Sequence, residues 1–150
     1  MSRSLLCASL LLVGCGRFRS SSPAQAEVER ALASYSDLML AMAPDRLAAS
    51  YTPDGELSDA EQGPVIGPDS IRAFLASFSD YRVLANRLSA DSTRVTADTA
   101  WQVGTYSERV RLPAGDTVEV AGRFQATWLR SGAGEWRLRR MHTMRPAKGG

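Results

Sequence analysis

Cysteine and histidine are almost missing from this chain of 150 residues, which has two cysteines, Cys7 and Cys15, and one histidine, His142. A lone histidine cannot build a zinc site without other strong ligands, and none stand at suitable spacing. Beyond residue 15 there is no thiol at all, which excludes disulfides, thiol catalysis and a cysteine metal centre. Stability must therefore come from an apolar core. Other chemistry is missing as well. No Gly-x-Ser-x-Gly elbow presents a nucleophilic serine, and no glycine-rich loop cradles a phosphate. The Asp-x-Asp-x-Asp-Gly calcium pattern is absent, and Asp54-Gly55-Glu56 does not replace it. No cofactor is expected. Charge is nearly balanced, with 18 Lys and Arg against 16 Asp and Glu and no basic block, so nucleic acid is not an expected partner.

What is present begins with Arg3 and an apolar run from Leu5 to Val13, then Gly14 and Cys15. The run is too short to span a bilayer and has the outline of a secretory signal. Leu12-Val13-Gly14-Cys15 resembles the lipobox of bacterial lipoproteins, which implies cleavage before Cys15 and acylation of its thiol. Residues 1–14 are then signal, 15–25 the lipidated cysteine and a polar tether, and 136 residues remain after cleavage, enough for one domain. Several acyl chains together anchor firmly where one does not. The expected location is the cell envelope, with membrane contact through the anchor alone. Gly16 after the cysteine points to the outer membrane in a Gram-negative host.

Ser22-Pro23-Ala24-Gln25 is a helix start, with a capping serine and proline at the first helical position. Val28, Ala31, Leu32, Tyr35, Leu38, Met39 and Met42 then recur on one helical face, until Pro44. Asp45 can cap a shorter helix with Leu47, Ala48 and Tyr51. Pro53-Asp54-Gly55 reads as a turn and the stretch to Gly67 as a loop, after which Pro68 opens a third helix with Ile71, Phe74, Leu75 and Phe78. Beyond Asp80 the segments 82–96, 99–112, 117–130 and 135–145 are rich in Val, Thr, Trp and Tyr and separated by turn residues. Asp91-Ser92-Thr93 marks a bulge or a split in the first of them. Three helices followed by an antiparallel meander predict an α+β domain over residues 26–145, with 146–150 as a tail.

Several strings carry a family resemblance: Tyr51-Thr52-Pro53-Asp54-Gly55-Glu56, Ala97 to Ala100 running on to Gly104-Thr105-Tyr106, and Gly122-Arg123-Phe124-Gln125. The last is Thr127-Trp128-Leu129-Arg130, a glycine turn, Trp136 and His142. In this order they resemble the nuclear transport factor 2-like superfamily in its SnoaL-like branch. The ending also resembles the association domain of calcium/calmodulin-dependent kinases. The resemblance covers roughly 26–145 and implies a cone-shaped fold, three helices on a curved antiparallel sheet, with a deep pocket and often a homodimer formed through the sheet. It does not imply one activity, because the superfamily holds isomerases, cyclases, dehydratases and proteins that only bind or assemble.

The candidate pocket residues are Tyr35, Glu56, Tyr106, Glu108, Arg123 and His142. Tyr35 lies on the apolar face of the first helix, where its hydroxyl needs a partner. His142 alternates with Trp136, Leu138 and Arg140 and is the one side chain suited to proton exchange near neutral pH. Glu56 stands in a cluster with Asp54, Asp59 and Glu61 that otherwise reads as a solvated loop. Arg123 and Gln125 share one strand face, Phe124, Ala126 and Trp128 the other, and either set could line the pocket. Tyr106 and Glu108 pose the same question against Trp101, Val103 and Thr105. The expected function is binding of a small apolar or weakly acidic ligand without clear catalytic machinery. The alternatives are a cofactor-free isomerase, cyclase or dehydratase, and a dimerising scaffold. The enzyme would show His142 and a carboxyl, Glu56 or Glu108, in one cavity within about 3 Å.

Overall fold

The computed structural model describes residues 22–59 and 61–146. The signal, Cys15 and residues 16–21 of the expected tether lie outside them, while residues 23–25, also expected as tether, form the first turn of a helix. Helix α1 runs Pro23–Leu40, α2 Pro44–Ala49 and α3 Pro68–Ala76; the strands are β1 Tyr51–Asp59, β2 Val65–Ile66, β3 Arg82–Thr96, β4 Thr99–Arg111, β5 Thr117–Arg130 and β6 Trp136–Met144.

The Ser22 hydroxyl caps α1 by accepting from the Gln25 amide at 3.1 Å, and Pro23 costs no hydrogen bond at the first helical position. Val28, Leu32, Tyr35 and Leu38 form its buried stripe. Glu27 pins the start of the helix to the far end of the sheet, where its carboxylate accepts from Arg130 and from the Trp136 indole. α1 lies along β3, while α2 and α3 pack on each other and α3 on β1.

The six strands form one sheet in the order β2-β1-β6-β5-β4-β3, antiparallel except where β1 runs parallel to β6. This corrects the sequence reading of residues 53–67 as turn and loop. Local turn residues gave no sign of the strand because, apart from the two-residue β2, its partners are more than eighty positions away, at Leu138 to Thr143. Pro53 and Gly55 fall where that register shifts, so neither has to supply a regular ladder bond. The break expected near Asp91 is a bulge: Ala90 pairs with Gly104, Ser92 with Val103, and Asp91 stands between them.

The sheet curls around the helices because two glycines sit opposite aromatic rings. Gly104 pairs with Phe124 and Gly122 with Tyr106. A Cβ on Gly104 would lie 2.7 Å from the Phe124 ring and 2.1 Å from the Ser89 carbonyl oxygen, so only glycine lets the strands approach this closely. Inside the curl, Val28, Leu32, Leu47, Ile71, Phe124, Trp128, Leu138 and Met141 form the core. Its one deeply buried amide is satisfied: Gln102 accepts from the Trp128 indole at 2.8 Å and donates to the Thr93 hydroxyl at 3.1 Å.

Candidate functional site

The open end of the curl holds a cavity of about 650 Å³, within the range of small-molecule sites. Helix α1 contributes Tyr35 and Met39 to its wall, α3 contributes Phe74 and Leu75, and the inner face of the sheet contributes Leu88, Tyr106, Glu108, Val120 and Met141. Alternation along the strands decides this lining. Ala100, Gln102, Gly104, Tyr106 and Glu108 of β4 face inward, and Trp101 and Val103 face out. On β5 the inward set is Phe124, Ala126 and Trp128, which puts Arg123 and Gln125 on the outer face.

Glu108 is the polar centre of the wall. It is half-buried and faces Asn86 across the β3–β4 ladder, whose amide donates to its Oε1 at 2.5 Å. The Asn86 Oδ1 in turn accepts from the Ser36 hydroxyl at 2.6 Å, so α1 and β3 together hold the amide with its NH₂ towards the carboxyl. Burial pushes the Glu108 carboxyl above its ordinary value of 4.5, and the Asn86 hydrogen bond opposes that rise. Deeper in, the hydroxyls of Tyr35 and Tyr51 meet at 2.8 Å, which supplies the partner that a buried phenol requires. Burial raises Tyr35 to about 12, so it stays neutral across the ordinary pH range. Tyr106 is also raised by burial, with Arg145 beside it pulling the other way.

The mouth is more polar. Arg145 reaches Glu61 at 3.1 Å, and Asp59 accepts from the main-chain amides of Glu61 and Gln62. Around it stands an aromatic ladder, Phe74 to Phe78 to Tyr81, with edge-to-face rings 5.2 and 5.5 Å apart. Among the described residues no group of three metal-binding side chains converges.

Three of the six residues singled out from the sequence, Tyr35, Tyr106 and Glu108, share this cavity. Glu56, Arg123 and His142 do not. Simple alternation from Leu138 would turn His142 inward, but Arg139 is an extra residue between the pairs Leu138–Trp128 and Arg140–Thr127. Past that bulge Met141 and Thr143 point into the cavity, and His142 stands with Gln125 on the outer face. There its Nδ1 lies 3.0 Å from the Ser58 hydroxyl, and Arg140 pairs with Glu56 at 3.1 Å. Arg123 pairs with Asp91, also outside, at 3.1 Å. The sequence reading missed Asn86 and Ser36. A polar residue in the inward register of Leu88 was the available signal for Asn86, while Ser36 carried none.

The sequence model of the SnoaL-like domain family matches residues 20–142, most of the chain. The chain belongs to the SnoaL-like domain family. Solved structures share the fold of this SnoaL-like domain at low sequence identity. A ketosteroid isomerase-like protein from Erwinia carotovora atroseptica aligns with a TM-score of 0.76 at 19% identity, over 85% of this chain and 99% of the other. An NTF2-like protein with a cystatin-like fold from Novosphingobium aromaticivorans aligns at 0.68 and 21%, over 83% of each chain. A Catenulispora acidiphila protein in complex with S-DNPA aligns at 0.69 and 14%, over 80% and 91%. No curated protein matches the chain. The SnoaL-like domain is therefore an NTF2-like α+β fold: helices against a curved, mostly antiparallel six-stranded sheet.

Proposed function

We propose that this SnoaL-like domain is a binding module for a small, largely apolar molecule, held in the cavity with one polar group against Glu108. The observation that carries this reading is the isolation of Glu108. Its hydrogen-bond partner among the described residues is the Asn86 amide, a group that is neither an acid nor a base near neutral pH, and the chain's one histidine is on the opposite face. A histidine–carboxyl pair in one cavity is thus not formed. The S-DNPA complex of the Catenulispora acidiphila protein supports the reading by showing a ligand held by a relative of this fold.

The test is native mass spectrometry of the protein after exposure to an organic extract of its host cells, beside Val120→Trp, which fills the cavity from β5. A small molecule retained by the original protein and lost from the variant supports binding. Equal retention, or none in either, overturns it.

One observation favours a second reading as an isomerase-type enzyme. A carboxyl raised by burial in an apolar cavity is the equipment needed to take a proton beside a carbonyl, and a relative by fold is described as ketosteroid isomerase-like. Deuterium exchange into a bound ketone that is abolished in Glu108→Gln would establish it over simple binding.

The setting of the module is part of the proposal. Acylation of Cys15 holds the domain at the cell envelope, so Cys15→Ala moves it from the membrane to the soluble fraction. Two copies pair through the outer sheet face, where Trp101 and Val103 are exposed; Trp101→Glu then yields a monomer by light scattering.

A further inference from the structure

We propose that the cavity selects an apolar molecule carrying a cationic amine, for which Glu108 is the counter-ion. This rests on the binding reading above and narrows it. The charged groups around the cavity are unequally served. Arg145 at the mouth is held by Glu61, and Arg82 donates to the carbonyls of Ser79 and Tyr81. Asp59 is satisfied by two main-chain amides. Glu108, like Arg82 and Asp59, has no counter-ion within ion-pair distance among the described residues, but unlike exposed Arg82 it is half-buried in an apolar wall. A carboxylate in that position gains from any positive charge that enters.

The Asn86–Ser36 arrangement decides the sign of the preference. Ser36 donates to the Asn86 oxygen, so the NH₂ of the amide faces Glu108 and donates to Oε1. A donor in that place favours the ionised carboxylate. Oε2 has no hydrogen-bond partner among the described residues, and since Glu108 lines the cavity this oxygen is left to accept from an ammonium N–H. An anionic ligand would meet this half-buried carboxylate, with Arg145 already paired to Glu61 and the charge of Arg82 exposed to solvent. The rings of Tyr35, Tyr81, Phe74 and Phe78 in the same wall add faces that attract a cation. A basic group on the apolar ligand thus departs from the sequence expectation of a small apolar or weakly acidic one.

Three probes with one apolar cage test this: 1-adamantanamine, 1-adamantanemethanol and 1-adamantanecarboxylate, titrated calorimetrically at about pH 8, where amine and acid are both charged. The amine is expected to bind tighter than the alcohol by about tenfold or more, with the carboxylate weakest. Glu108→Gln keeps the shape of the side chain. It should bring the amine to the level of the alcohol, so that the tenfold ratio between the two falls to about twofold or less. An amine that binds no tighter than the alcohol, a carboxylate that binds tightest, or a preference that survives in Glu108→Gln overturns the inference. If the alcohol binds, and Val120→Trp removes it, the cavity reading stands even when the charge preference fails. If none of the three binds, both fall.

Discussion

His142 and Ser58 hold each other across the parallel ladder between β6 and β1, with the imidazole Nδ1 3.0 Å from the hydroxyl. The contact lies on the outer face of the sheet, with Arg140 and Glu56 paired beside it. Its work is to fasten β1 to β6. Replacing His142 with alanine is expected to cost about 1 kcal/mol of stability, the loss of one half-buried hydrogen bond. Ligand affinity in the cavity should stay within about twofold, since the changed site is on the other face. Denaturant unfolding and a binding titration of the same variant check both. A large loss of binding without unfolding would return His142 to the site.

Glu108 gives the stability a pH dependence of known sign. Burial raises its carboxyl in the folded protein above the ordinary 4.5, so between these values the folded state holds a proton that the unfolded chain has released. Stability therefore falls as pH rises from near 4.5 through the raised folded value, and levels off above it. Tyr35, near 12, stays protonated throughout and does not contribute. In Glu108→Gln this downward step should vanish, and the variant should be more stable than the original above the window. Urea unfolding as a function of pH, run on the two proteins side by side, reads the difference directly. An upward step over the same range would mean that the carboxylate is stabilised by a charge partner.

Gly104 is expected to tolerate no side chain. An added Cβ would meet the Ser89 carbonyl oxygen at 2.1 Å and the Phe124 ring at 2.7 Å, and the first of these is main chain that cannot swing aside. Gly104→Ala should cost about 2 kcal/mol or more by forcing β3 and β4 apart. Because the same close approach curls the sheet, the variant should also bind the cavity ligand less tightly. A melting curve and a ligand titration test the two effects. A variant of unchanged stability would show that the curl does not depend on this glycine.

Much of the fold was legible because its signals are local. The Ser22-Pro23 cap, the stripe Val28–Leu32–Tyr35–Leu38 and the β-rich segments after Asp80 state their conformation within a few residues, and the structure places helices and strands there. The family strings carried the architecture, which the SnoaL-like match bears out. The apolar side of α1 likewise put Tyr35 in the interior on sequence grounds alone.

The rest was decided by pairing at long range. Strand β1 exists because β6 offers its edge more than eighty residues later, and no turn propensity near Pro53 records that. His142 faces outward because one extra residue, Arg139, slips the register, and a slip of one reverses every following side chain. Asn86 reaches Glu108 only once β3 and β4 are zipped, and its amide is oriented only once α1 brings Ser36 against it. The sequence by itself determined the elements, the burial of the helix stripe and the absence of thiol chemistry, since each depends on neighbours along the chain. That Glu108 faces the cavity and His142 does not depended on strand register and sheet curl, and those belong to the tertiary structure.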